Sequence, residues 1–110
     1  MKIEKKEKYT IFTTEDSLLS NVLKTFSNNL EKNISQNIIL NISDNLNITS
    51  EDFSVFLNTA SKKKENGTSF VVIIKSLNID DLPEEVNIVP TLQEAEDILG
   101  MEAIERELGF

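Results

Sequence analysis

Ser50 has the hydroxyl best placed for chemistry in this chain. It comes after the apolar run Ile38–Ile42 and stands where a new helix should begin. A hydroxyl there can cap exposed backbone N–H groups. It can also accept a phosphoryl group, whose charge of about -2 a helix N-terminus would favour. Capping is the plainer reading, because Glu51 and Asp52 follow directly and would repel a phosphate. Carboxylates occur as neighbours at Glu15/Asp16, Asp80/Asp81 and Glu84/Glu85. An acid/base pair needs unequal surroundings that drive the two pKa values apart. These pairs read instead as solvated helix ends, so no catalytic residue is assigned. Lys62-Lys63-Lys64 could meet an anion, but at the end of a helix three cations chiefly complement its dipole.

The residue types that are missing narrow the chemistry further. None of the 110 residues is His or Cys. Zinc fingers, His-ligated metal hydrolases, Ser-His-Asp and Cys-His units and disulfides therefore cannot be built. Three glycines, Gly67, Gly100 and Gly109, cannot write a phosphate-binding loop. Asp44–Asp52 lacks the spacing and turn glycine of a calcium loop. No metal and no cofactor is expected. The formal net charge is -8, which disfavours nucleic acid as a partner, since phosphates are neutralised by surplus Lys and Arg. That charge is local. Residues 76–110 hold ten acidic side chains and one basic one, Arg106, whereas residues 1–75 hold nine acidic and ten basic.

The length and a 39% hydrophobic content suit one folded domain spanning 1–110. No apolar stretch approaches the roughly 20 residues of a membrane span, and no signal core follows the charged Met1–Lys8. The expectation is a cytoplasmic protein without membrane contact. Lys2–Lys6 and Tyr9–Thr13 read as two strands of a hairpin. Glu15–Leu30 reads as a helix capped by Thr14, with Leu18, Leu19, Val22, Leu23, Phe26 and Leu30 on its apolar face. Asn37–Ser43 reads as a central strand buried on both faces. A second helix starts at Thr49 or Ser50, buries Phe53, Phe56, Leu57 and Ala60, and ends at Gly67. Ser69–Ile74 is the clearest strand. Ile79–Val86 suits a short helix or turn, and Asn87–Val89 is a brief strand stopped by Pro90.

Thr91-Leu92-Gln93-Glu94 is a capping box. It opens a helix that places Leu92, Ala95, Ile98 and Leu99 on one face. Gly100 is a point where this helix would end or loosen, with Met101, Ile104 and Leu108 extending the apolar stripe toward Phe110. A terminal amphipathic helix is expected to pack back onto the sheet. Its anchors Met101, Ile104, Leu108 and Phe110 are also a candidate partner-binding surface. The alternation of elements predicts an α/β fold. Its sheet is mixed, mostly parallel and four- to five-stranded, with the hairpin at one edge, helices packed on it and an acidic amphipathic helix last.

The run Ile38-Ile39-Leu40-Asn41-Ile42-Ser43, followed by Ile48-Thr49-Ser50-Glu51-Asp52-Phe53, resembles the centre of STAS domains, the anti-sigma factor antagonist family. There a hydrophobic strand ends Asp-Leu-Ser, and Ile-Asp-Ser-Ser-Gly-Leu opens a helix. Asn66-Gly67 ahead of Ser69–Ile74 is similar to the family's glycine before its next strand. Val89-Pro90-Thr91-Leu92-Gln93-Glu94-Ala95 looks like its closing strand and helix start. In element order the resemblance covers nearly the whole chain. It implies a non-enzymatic protein-interaction module in bacterial regulation. The implied partner is a protein, an anti-sigma factor or serine kinase-like protein. The contact region would be Thr49, Ser50, Glu51 and Asp52, with Ser50 the candidate phosphorylation site. The chain departs from the pattern at Thr49, in place of Asp, and at Glu51 and Asp52, in place of the second Ser and Gly. The stretch Glu94–Phe110 also looks like that of small STAS-like proteins catalogued as ribonuclease Z. The alternative function is therefore an accessory protein in RNA processing without catalytic activity of its own.

Overall fold

In the computed structural model of the chain, the described residues are 1–15, 19–33, 35–42, 54–75 and 86–109. They form β1 (Lys2–Lys5), β2 (Thr10–Thr13), α1 (Leu19–Leu30), a 3-10 turn (Glu31–Asn33), β3 (Ile38–Asn41), α2 (Ser54–Glu65), β4 (Phe70–Ile73), β5 (Asn87–Val89) and α3 (Leu92–Glu107). The five strands make one sheet in the order β1-β2-β3-β4-β5. β1 runs antiparallel to β2, while β2/β3, β3/β4 and β4/β5 are parallel. The hairpin edge and the parallel remainder thus follow the sequence reading. The expected strand at Asn37–Ser43 is observed as Ile38–Asn41, and that at Ser69–Ile74 as Phe70–Ile73.

Side chains alternate across a strand, so the unbroken apolar runs supply two cores at once. Phe12, Ile38, Leu40, Ile42, Phe70, Val72 and Ile74 point to one face, where they meet Val22 and Phe26 of α1 and Phe56 of α2. Ile11, Ile39, Val71 and Ile73 point to the other and meet Ala95 and Leu99 of α3. Register keeps these sets aligned: Ile11 lies beside Ile39, and Ile39 beside Val71. On the α1/α2 side the rings of Phe12 and Phe26 meet edge to face at 5.4 Å, and Phe26 stacks on Phe70 at 5.7 Å. Each such ring, once buried, supplies about 1.5–3 kcal/mol of transfer free energy.

Helix ends explain where the elements stop. Gly67 takes φ +71°, its N–H donates to the Lys64 carbonyl at 3.1 Å, and the Thr68 N–H donates to the Lys63 carbonyl at 3.0 Å. These two bonds form a Schellman motif, which needs the left-handed residue that glycine supplies without strain. At the start of α3 the Thr91 hydroxyl accepts from the Glu94 N–H at 3.2 Å, the first half of the expected capping box.

Two expectations about α3 are corrected. The helix does not end or loosen at Gly100 but continues to Glu107, because Gly100 is exposed and the backbone bonds of both flanking turns carry across it. Leu92, seven residues before Leu99, lies on the same side of the helix, but it is not buried: it is 41% exposed at the helix start, and burial begins with Ala95. Glu15, read as the first residue of the first helix, is not helical; α1 runs from Leu19, and residues 16–18 lie outside the described set, as do residues 79–85 of the expected short element. Phe53 also lies outside that set. Phe56 is fully buried as expected, and Leu57 and Ala60 are half-buried beside it.

Candidate functional site

The parallel strands define two ends of the molecule. Their carboxyl ends lie at Asn41 of β3, Ile73 of β4 and Val89 of β5. In open α/β sheets ligands bind outside the carboxyl ends where the strand order reverses; the sequential order here has no such reversal, so the end alone singles out only the connections that follow the strands. Thr49, Ser50, Glu51 and Asp52 occur in sequence between Ile42, just after β3, and Ser54, the first residue of α2; they lie outside the described residues. α2 itself is firmly seated. Phe56 is fully buried and lies 6.3 Å from the Phe70 ring, and Thr59 and Lys63 are buried on the same side.

Lys63 is the residue sequence reasoning misplaced. Instead of joining Lys62 and Lys64 in complementing the helix dipole from solvent, its side chain is fully buried. Its Nζ donates to the Asn33 carbonyl at 3.2 Å and to the Gln36 carbonyl. Gln36 in turn accepts through its side-chain oxygen from the Thr10 hydroxyl. One amine thus ties α2 to the turn before β3. Burial lowers its pKa to about 8, so the ammonium form persists at neutral pH. The clue was in the spacing. Lys63 lies seven residues after Phe56, on the helix face that Phe56 and Thr59 bury.

A second polar cluster joins α3 to the amino ends of β4 and β5. The Ser69 hydroxyl donates to a Glu102 carboxylate oxygen at 2.5 Å, and the Asn87 amide donates to the other at 2.9 Å. Arg106 donates to Ser69 Oγ at 3.1 Å. These groups and Lys64, Thr68 and Glu105 line an open depression of about 540 Å³. Each carboxylate oxygen accepts from one donor, a hydroxyl or an amide, which suits an anchor between α3 and the strands. No residue-type pattern announced it, since Ser69, Asn87 and Glu102 meet only through the parallel register.

The remaining predicted residues are on α3. At about 100° per residue, Ala95, Leu99, Glu102 and Arg106 follow one side of the helix, the side turned to the sheet. Met101, Ile104 and Leu108 follow the opposite side and are 55%, 58% and 67% exposed. The helix does pack back onto the sheet, as expected, but the apolar stripe does not continue its buried face. The structure therefore brings Met101, Ile104 and Leu108 together as a surface; Phe110 lies outside the described residues. Tyr9 extends the other side of the helix seat, donating to Glu96 at 3.2 Å, and burial beside that carboxylate raises its pKa.

Among the described residues no three acidic side chains converge where they could hold a metal ion, and no helix is long and apolar enough to cross a membrane. Comparison of the chain with protein-family models and with curated proteins gives no match.

Proposed function

We propose that this chain is a non-enzymatic, STAS-like protein-interaction module of the bacterial cytoplasm. Its action resembles that of an anti-sigma factor antagonist. The observation that supports the reading best is the sheet. A β-hairpin followed by three parallel strands in sequential order, with a helix after the central strand, is the element order the motif resemblance called for. In sequence Thr49–Asp52 follow the carboxyl end of that central strand and precede α2, as the family's motif does. The partner contacts this region, and Ser50 is the position at which a phosphate would switch the contact. Glu51 and Asp52 supply standing negative charge where the family carries a removable one.

Affinity capture from the native cell tests the reading, with wild-type and Ser50→Asp chains run in parallel and partners identified by mass spectrometry. The expected result is a protein partner retained by the wild type and depleted by the substitution. Retention of RNA at physiological salt, with no protein enriched, would overturn it in favour of a role in RNA processing. Intact mass after incubation with a cognate serine kinase reports on the switch alone: an added phosphate, lost in Ser50→Ala, would establish it, and an unchanged mass would remove the switch while leaving the interaction module.

A further inference from the structure

We infer that the outer face of α3 docks a basic amphipathic helix of another protein. Met101, Ile104 and Leu108 stand at i, i+3 and i+7, the spacing by which one helix grips another along a stripe. All three are more than half exposed, on the side of α3 away from Ala95 and Leu99, which already hold the helix to the sheet. More than half of each of these three residues therefore stays accessible, and each leaves apolar surface in water.

Charge selects the occupant. The residues bordering the stripe are Glu94, Asp97, Glu105 and Glu107, all exposed. The only cation of α3, Arg106, is turned to the sheet side, where it donates to Ser69. A second copy laid across this face would set the same acidic borders against each other, and an anionic membrane would be repelled in the same way. A helix with an apolar stripe and lysines or arginines beside it meets both features. This inference rests on the reading of the chain as an interaction module, but not on Ser50.

The test is a titration of the full chain with three labelled peptides, followed by fluorescence anisotropy. The first carries leucines at helical i, i+3/i+4 spacing flanked by lysines, the second has the same composition scrambled to remove the stripe, and the third replaces lysine by glutamate. The patterned lysine peptide should bind at least about tenfold more tightly than either control. Ile104→Glu and Met101→Glu should each weaken it by about tenfold or more, as expected for loss of a central anchor. Both sites are exposed, and circular dichroism of each variant confirms the fold. Equal binding of the scrambled peptide, equal binding of the glutamate peptide, or indifference to both substitutions would overturn the proposal. So would a wild-type dimer in sedimentation that Ile104→Glu dissolves, since the occupant would then be a second copy. A negative titration beside a partner captured in a Ser50-dependent manner overturns this inference alone. A positive titration with no captured protein counts against the wider reading instead.

Discussion

Replacing Lys63 by methionine keeps most of the side chain's volume but withdraws its amine from the carbonyls of Asn33 and Gln36. Buried acceptors left short of a donor cost about 1–3 kcal/mol, and urea denaturation of Lys63→Met should show a loss of that size near pH 10, where the folded chain no longer carries the buried charge. The pH dependence gives an independent check. Lys63 titrates at about 8 in the folded chain, against 10.5 ordinarily. Between those values the unfolded chain binds the extra proton, so stability rises with pH across that window. Below pH 8 the cost of burying the charge is fully present. The wild type should therefore gain on Lys63→Met between pH 8 and 10.5, and parallel stability curves would exclude the assignment. Lys63 also shows what single-residue reading loses. A lysine run at a helix end suggests three equivalent cations, and only the face on which Phe56 and Thr59 lie separates one of them from the other two.

At the scale of elements, α3 offers two opposed substitutions. Gly100 sits exposed inside the helix, and a Cβ built there meets nothing within 4 Å. Gly100→Ala should therefore stabilise the protein by about 0.5–1 kcal/mol, through the lower backbone entropy of the unfolded chain and the better helix propensity of alanine. Glu102 is the converse case. Its two oxygens accept from Ser69 and Asn87, so Glu102→Ala should destabilise by about 1–3 kcal/mol. Both are read by chemical denaturation at neutral pH, and the signs should differ. The start of this helix was legible in Thr91-Leu92-Gln93-Glu94, because capping is local chemistry. The orientation of its second half was not. Ala95 and Leu99 bury the seam that the sequence placed on one face, but Met101, Ile104 and Leu108, read as its continuation, lie on the opposite side.

At the scale of the molecule, charge is the lever. Ion pairs among the described residues lie near the amino terminus, where Glu4 meets Lys2 and Lys6 and the Met1 amino group meets Glu15. Lys6 in particular holds the Glu4 carboxyl below the usual carboxylate range. Residues 76–110, at a net -9, have little to offset their repulsion. Raising salt from about 0.01 M to 0.5 M should therefore raise Tm by roughly a few degrees, since screening removes more repulsion than attraction. A fall in Tm would mean that ion pairs dominate. The α/β class and the hairpin were legible from unbroken apolar runs alternating with helical spacing. The assignment of α1 and α2 to one face and α3 to the other was not, because runs buried on both faces carry no mark of which helix covers which side.

The sequential strand order has a consequence for how the chain assembles. Among the described residues each strand pairs with the one made just before it, so none of these five must wait for a later neighbour to be inserted between two others. β2 completes a hairpin with β1, and β3, β4 and β5 then extend the same edge one at a time. Keeping partners near in sequence shortens the loops that must close and favours rapid folding. On the ribosome the sheet can grow in the direction of synthesis, with α3, which follows β5, closing the face that the finished strands leave open.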